Sequence, residues 1–561
     1  MLVSTVSSIG VDKKRQSFKS ARVNILAKSD EHGYISKSMQ FYDTTRRNSD
    51  DIFQKAEEPS TLNLFLMPGD IFMNPSKKGF QTRKSATNGE IQADFLKTSV
   101  GAIKNLLPTN AKFDALLTPG NHDLDGGDKT FFSLMKKTGV KTVITNLDYD
   151  KSPGVNKLDK KNIVNSVVYE IPDDKNPKMK HHVMVLGVTI PSMDFYNPGL
   201  VKSIQFVNNS NRKDSQIKQE DLTETFELLN KKVRRFKQEH PKGAVVLMSH
   251  TGSPISGMIR DNVPGINEIL NGHDHLNLSS QKGTTHISSL GQNNEMFKSI
   301  RFTFDDNGDL DLRETNTFFT NTHPVSEEET NPMQELYDTS LKKDRFPLVT
   351  LHSPEIDDEL SYSDEIRYKN SYLANYLTSA VKRSLKEEDP ELSTVGIQSS
   401  IIRGGIKNSA TNIDLMKVFD GVSEDLSGIY SGYVSGKDLV GLVAENIQGN
   451  LKAPKRNTII HWSDIQVNRS MMEKNPNCNL YDAIKIRNKA TKKFENIDPS
   501  RSYKIAIAEK YLVKDDIKYP PKIRDNFKPT GYTYDELFRK NLEAFDYYIK
   551  VTDKTKEHRI I

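Results

Sequence analysis

Five apolar runs in the first half of the chain constrain the fold most: "ARVNILA" (21–27), "TLNLFLMPGD" (61–70), "FDALLTPGN" (113–121), "HHVMVLGVTI" (181–190) and "GAVVLMSH" (243–250). Each has strand length, and the polar stretches between them are long enough for helices, as in "LTETFELLNKKVRRFKQEH" (222–240). Strands separated by helical lengths predict a layered α/β domain. Several runs stop directly on Gly, Asp, Asn or His. Ligands in α/β sheets are held at strand ends of this kind, so the terminal residues are the first candidates for function.

Reading those ends in order assembles one set of side chains. "ILAKS" runs into "DEHG", giving Asp30 and His32, two apart and so on one face if the strand pattern continues. "MPGD" gives Asp70, "PGNHDLD" gives Asn121, His122 and Asp125, "LMSHTG" gives His250, and "INEILNGHDH" gives His273 and His275. Pro, Gly, Asn and Asp are ordinary turn residues, so one such motif alone carries little. Together the motifs hold five of the chain's 13 histidines. Carboxylates, imidazoles and one amide oxygen suit divalent cations, with Mn²⁺ the first expectation and Zn²⁺, Fe²⁺ or Mg²⁺ the others. Two such ions about 3.5–4 Å apart can share a carboxylate, clamp a phosphoryl group and acidify water near neutral pH. This donor set predicts phosphate-ester hydrolysis.

The series D-x-H, G-D, G-N-H, H, G-H-x-H resembles the calcineurin-like metallophosphoesterase superfamily. "GNHDLD", "SHTG" and "VPGINEILNGHDH" (263–275) are similar to its two-domain 5′-nucleotidase branch. The resemblance implies an α/β fold, a four-layer αββα metallophosphoesterase sandwich with a dinuclear metal site, followed by a smaller α/β 5′-nucleotidase-like C-terminal domain. It implies that Asp30, His32 and His275 hold one metal, that Asn121, His250 and His273 hold the other, and that Asp70 bridges the two. His122 would contact the substrate phosphate and act as general acid, with Asp125 orienting and charge-stabilising its ring. Asp123 and Asp274 match variable positions and are expected beside the site or in solvent, and Asp128 in a loop. His181, His182, His286 and His352 are expected to be structural or exposed, and Trp462 and Cys478 to serve packing.

The expected division is an N-terminal extension (1–20), a metallophosphoesterase domain (21–320), a linker with some helix (321–345) and the C-terminal domain (346–561). In the last, "YKNSYLANYLTSAV" (368–381), "GYVSGKDLVGLVAENI" (432–447), "SDIQV" and "DPSRSYKIAIAEKYL" resemble the substrate-binding domain of the 5′-nucleotidase branch. The pocket motifs depart from that branch. Where the family reads N-x-G-G-I-R, this chain has "QSSIIRGG", keeping Arg403, the candidate for substrate binding. Where the family reads P-F-x-N it has "VFDG", keeping Phe419, and "FKPTGYTY" (527–534) stands in place of a late "GGDG" loop. Phe527, Tyr532 and Tyr534 are the aromatics there that could stack on a base, with core packing the alternative.

These departures turn the expectation toward a polymer. The first expectation is a Mn²⁺-dependent DNase, using the same two-metal clamp plus a cationic track for the backbone. The alternative is an intracellular 5′-nucleotidase releasing phosphate from nucleoside or deoxynucleoside monophosphates. A scaffold with a relict site is disfavoured by seven intact ligand positions and the His122–Asp125 pair. The net charge of +5 is a mild excess, and clusters such as "KKVRRFK" (231–237), "KMKHH" (178–182) and "KATKKF" (489–494) are expected to be solvated faces. The Lys- and Asn-rich composition with this architecture suggests an early, host-DNA-degrading protein of a large tailed phage. One cysteine excludes an internal disulfide framework and suits a reducing compartment. The N-terminus lacks a secretory signal pattern, and no run approaches the roughly 18 apolar residues of a membrane span. A cytoplasmic protein is therefore expected, in the host cytoplasm if of phage origin. It would bind DNA or nucleotide and no membrane, with homo-oligomer formation left open.

Overall fold

The structure is a computed structural model that describes residues 20–33, 35–72, 89–152, 155, 162–176, 178–192, 201–208, 216–320, 331–340, 347–352, 359–419, 428–452, 458–508 and 526–561. Residues 1–19, 321–330 and 341–345 of the expected extension and linker lie outside the described residues, as do Asp420 and Gly421 of "VFDG" and residues 509–512. The chain divides into two compact units, one of Met1–Met73 and Gln92–Leu336, the other of Asn74–Ile91 and Tyr337–Ile561. The division falls in the helix Pro332–Ser340, where Asn331 Oδ1 accepts the Met333 N–H at 2.9 Å.

Two sheets build the first unit. The seven-stranded sheet runs in the order Leu310–Phe319, Met296–Phe304, Ala21–Ala27, Thr61–Pro68, Lys112–Thr118, Lys141–Val143, Ile163–Val164. The six-stranded sheet runs Ser279–Lys282, Thr285–Ser289, Glu268–Asn271, Ala244–His250, Lys180–Thr189, Val167–Pro172. All five apolar runs are strands, and those in each sheet that carry the motifs pair in parallel: Ala21–Ala27 with Thr61–Pro68, Thr61–Pro68 with Lys112–Thr118, and Ala244–His250 with Glu268–Asn271. Parallel pairing brings their C-terminal ends to one edge of each sheet.

Side-chain alternation sets the layers. Along Thr61–Pro68, Leu62, Leu64 and Leu66 point into a core shared with Val183, Val185, Val246 and Met248 of the other sheet. Phe65 and Met67 point the other way, into a core with Phe41, Leu96 and Phe131 of the covering helices. The second sheet does the same: Met184, Leu186, Val245 and Leu247 meet Phe226, Leu229, Val233 and Phe236 of the helix Thr223–Glu239. A strand whose two faces are both buried needs apolar residues at both parities, which is why these runs read as continuous rather than alternating. Helix, sheet, sheet and helix give the expected αββα sandwich. No helix among the described residues is long and apolar enough to cross a membrane.

The second unit is built on a five-stranded sheet in the order Ile460–Trp462, Thr394–Gln398, Ser502–Ala508, Gly428–Ser435, Phe527–Thr533, with a three-stranded sheet, Ile465–Val467, Ile484–Arg487, Phe494–Asn496. Helices Tyr372–Glu388 and Tyr534–Ala544 pack on one core and Gly436–Lys452 on another. Trp462 is buried, and Cys478 packs against the second of these cores. The fold class expected from the sequence, α/β with a sandwich and a smaller α/β C-terminal unit, is the one observed.

Candidate metal centre

The strand Ala21–Ala27 stops before Asp30, and the chain turns instead of extending, so Asp30 and His32 share a turn and not a strand face. The reason is backbone geometry. Asp30 (φ 52°), His32 (49°), Asp70 (51°), His273 (84°) and His275 (59°) all stand in the left-handed region, five of the thirteen non-glycine residues that do so among those described. Each such residue costs on the order of 1–3 kcal/mol and persists only where its surroundings over-determine it. Concentration of that strain on the motif residues marks them as a site before any ligand is considered.

Glycines make the approach tight. A Cβ on Gly120 would lie 2.2 Å from Asp70 Oδ1, and one on Gly69 (φ 82°) would lie 2.5 Å from His250 Nδ1. The G in "MPGD" and "PGNHD" is thus required by the packing of one ligand turn against another.

The side chains converge in overlapping groups. One donor atom each from Asp30, His32 and His275 lies within 4.8 Å of the others, and so do those of Asp70, His250 and His273. Asp70 joins the two: its Oδ2 is 3.1 Å from His250 Nε2 and 3.4 Å from His32 Nε2. Asp30 Oδ1 is 3.5 Å from His275 Nε2, and the His273 N–H donates to both Asp30 oxygens at 3.1 Å. Asn121 Oδ1 is 3.1 Å from His273 Nδ1, which brings the amide into the second group.

His250 tests whether a cation fits. Its Nδ1–H donates to Pro68 O at 2.8 Å, which leaves Nε2 as the lone-pair nitrogen. That nitrogen is buried, has no hydrogen-bond partner among the described residues, and points at a carboxylate oxygen that also brings only lone pairs. In a neutral ring two acceptors would face each other there, so the position calls for a positive charge, a proton on Nε2 or a metal ion in its place, and a carbonyl on the far nitrogen is how metal-binding histidines are oriented. Charge says the same. Burial lowers the His250 pKa, yet the charges of Asp70 and Asp30 outweigh it and raise it to about 10. Burial opposes the Asp70 charge, but His250 and His122 hold its carboxyl well below the usual range. Burial raises Asp30 despite His250 and His32, whereas His275 is lowered to about 3 by burial and by His32, so it keeps a free lone pair at neutral pH. The residues fit divalent metal.

His122 and Asp125 sit at the mouth. The His122 N–H donates to Asp70 Oδ1 at 2.8 Å, and its Nδ1 is 2.9 Å from Asp125 Oδ2. Its side chain is 29% exposed, against 2% for Asp70, so the ring borders both the cluster and solvent. His122 also lies within 4.8 Å reach of His32 and Asp70, a third grouping that the motif reading did not anticipate. Arg403 belongs to the second unit, with an exposed side chain and its N–H donated to Val418 O at 2.8 Å.

Two supports stand beside the cluster: Asp123, which the sequence reading left beside the site or in solvent, and the Lys28–Glu31 pair, which it did not name. Asp123 is fully buried and accepts the N–H groups of Asp70, Phe72 and Gly120 at 2.8, 2.7 and 2.7 Å, pinning the Asp70 turn to the Asn121 turn. Burial and the Asp70 charge push its carboxyl up to about 8 against those donors. Lys28 and Glu31 form a buried ion pair at 2.5 Å, with Ser38 Oγ donating to Glu31 at 2.7 Å, around the Asp30–His32 turn. The only sequence signal for either was a charged residue inside a motif. One expectation is corrected: Asp128 is not in a loop but opens the helix Asp128–Thr138, buried, accepting the Ser203 N–H and hydroxyl at 2.5 Å. His181 bonds Asp173 at 2.9 Å, His182 stacks on His240, His286 is half-buried and His352 Nδ1 accepts the Val551 N–H at 3.2 Å.

No protein-family model matches the chain, and no curated protein sequence does either. Solved structures do match. A 5′-nucleotidase precursor of Thermus thermophilus superposes with a TM-score of 0.61 at 14% identity, over 96% of this chain and 99% of that one. The sulfate thiohydrolase SoxB of Thermus thermophilus superposes with a TM-score of 0.55 at 14% identity, over 96% of each chain. The fold is that of the two-domain 5′-nucleotidase structures. At this identity the likeness concerns the fold, and the two names show that one scaffold carries more than one hydrolysis.

Proposed function

We propose that this chain is a two-metal phosphoesterase that hydrolyses nucleic-acid phosphate esters, with DNA cut in the presence of Mn²⁺ as the leading substrate. The observation that carries the reading is Asp70, shared between two ligand groups with His122–Asp125 beside it. Asp30, His32 and His275 would hold one ion, Asn121, His250 and His273 the other, and Asp70 both. Bound there, two divalent ions withdraw charge from phosphoryl oxygens and acidify water at neutral pH. The chain's own part follows from its bonds. Asp125 accepts the Nδ1–H of His122 and fixes the tautomer and ring orientation. His122, whose ring borders both the cluster and solvent, would donate a proton to a leaving ester oxygen, with Asp125 stabilising the charged ring before transfer.

The choice of polymer rests on the second unit. Tyr534 and Phe527 are core residues, and Tyr532 is part-buried with its hydroxyl on Glu388 at 2.5 Å. Phe419 is buried against Tyr534 and Phe538. Among the described residues Phe419, Phe527 and Tyr534 are thus taken up by packing, which favours recognition through the phosphate backbone. A second reading, a 5′-nucleotidase, is supported by the near full-length likeness to the Thermus enzyme. Purified protein with Mn²⁺ separates them: double-stranded DNA is compared with 5′-mononucleotides, and Asp70→Ala runs as the control for contaminating nuclease. DNA loss with little phosphate from mononucleotides supports the nuclease; the reverse result replaces it with the nucleotidase; activity toward neither overturns both.

A further inference from the structure

The loops that carry His250 and His273 are joined by a buried polar network that takes no part in the chemistry above. Ser249, Thr251, Ser256 and Asn271 are fully buried around His250. The Ser249 and Thr251 hydroxyls are 2.8 Å apart, Ser249 Oγ is 3.0 Å from Ser256 Oγ, and Ser256 Oγ donates to Asn271 Oδ1 at 2.6 Å. The Asn271 amide nitrogen faces Asp274 Oδ1 at 3.1 Å, Ser289 Oγ at 3.2 Å and Ser253 Oγ at 3.3 Å. Asp274 closes the circuit by accepting the Ser253 N–H at 2.7 Å, at the start of the helix Gly252–Asn262. The backbones are zipped alongside: Gly272 N–H donates to Ser249 O at 2.9 Å, and Gly252 N–H to Gly272 O at 3.2 Å.

Asn271 therefore bonds both loops at once, Ser256 on the His250 side and Asp274 on the His273 side. A slip of either loop would leave buried hydroxyl or amide groups unpaired, which is costly away from water. His273 and His275 also need such a constraint, because φ values of 84° and 59° are not kept by a loose turn. Packing alone would produce a different pattern. Asn24, equally buried, bonds Gln54 O and Asn63 Oδ1 at 2.9 Å, neither of them in a ligand-bearing turn.

We propose that Asn271 is a positioning residue that holds the His250 and His273 rings at the spacing one divalent cation requires. It thereby sets the affinity of the Asn121–His250–His273 side of the centre more than that of the Asp30–His32–His275 side. The proposal rests on the two-metal reading above. The test is a calorimetric Mn²⁺ titration of the full chain and of Asn271→Ala, Ser256→Ala and Asn24→Ala. The wild type is expected to take two ions, and Asn271→Ala to weaken one of them by about 10–100-fold. Ser256→Ala, which removes a single bond of the network, weakens the same site by less and carries the test if Asn271→Ala does not fold. Asn24→Ala lowers the melting temperature and leaves both affinities alone. Wild-type affinities in both network variants, equal weakening of both sites, or the same effect from Asn24→Ala would overturn the positioning role while the two-metal reading stands. A wild-type chain that binds no Mn²⁺ overturns that reading and this one with it.

Discussion

In the first unit, five strand ends deliver Asp30, His32, Asp70, Asn121, His250, His273 and His275 to one cluster, and five of these seven stand in left-handed backbone. In the second unit the non-glycine residues with positive φ are Ser409, Lys492, Asp546 and Tyr547, and no metal-binding group forms among its described residues. Its conspicuous polar and aromatic residues serve structure: Tyr534 donates to Gly396 O at 2.7 Å from inside the core, and the Arg559 guanidinium, buried, bonds Asn375 O, Thr378 Oγ1 and Trp462 O at 3.3, 3.2 and 3.2 Å. Strain stored at ligand residues is the signature of a site that a bound group must stabilise. Polar groups satisfied by their own neighbours are the signature of a scaffold.

That contrast can be broken in order of effect. Asp70→Ala should abolish hydrolysis, on the order of 10³-fold or more, and lower stability as well, because it removes the acceptor of the His122 N–H and the carboxylate that faces His250, while circular dichroism should still show a folded chain. Loss of folding would make Asp70 a structural residue. His122→Ala should lower kcat by about 10²–10⁴-fold and leave metal stoichiometry at the wild-type value. A lost ion would instead make His122 a ligand, as its nearness to His32 and Asp70 allows. Gly120→Ala should release bound metal, since its Cβ would meet Asp70 Oδ1 at 2.2 Å, whereas Gly101→Ala, with nothing within 4 Å, should stabilise the helix Glu90–Asn105 by about 0.5–1 kcal/mol. In the second unit, Tyr534→Phe should cost about 1–3 kcal/mol of stability with kcat and KM unchanged; a raised KM would return it to the substrate site.

Stability should also depend on pH. His461 is buried with its Nε2–H on Ile366 O at 2.8 Å, and burial lowers it from 6.5 to about 4. The unfolded chain binds the proton first as pH falls, so the contribution is complete above pH 6.5 and is lost on the way down to about 4. The loss amounts to about 3 kcal/mol at 1.36 kcal/mol per pH unit. Denaturant midpoints measured from pH 7 to pH 4.5 should fall less steeply for His461→Gln than for the wild type.

The cluster was legible because metal chemistry admits few residue types, and strand ends fix where they stand. "GNHDLD" announced His122 and Asp125, which the fold holds 2.9 Å apart. The turn at Asp30 was not legible, because an alternating pattern continues on paper past the point where backbone φ changes sign. The bonds of Asp123, expected only beside the site or in solvent, and of Asn271 were not legible either. Their roles come from partners 53 residues away in the case of Asp123 and Asp70, or 15 in the case of Asn271 and Ser256, separations that no local pattern encodes. The aromatics of "FKPTGYTY" could be read as clamp or core; Phe527 and Tyr534 are buried in the core, and Tyr532 is part-buried.

The most direct measurement is anomalous diffraction from crystals grown with Mn²⁺. Two peaks are expected, one bounded by Asp30, His32 and His275, the other by Asn121, His250 and His273, with Asp70 in contact with both. No peak at the cluster, or a single peak held by His32, Asp70 and His122, would contradict the two-metal centre.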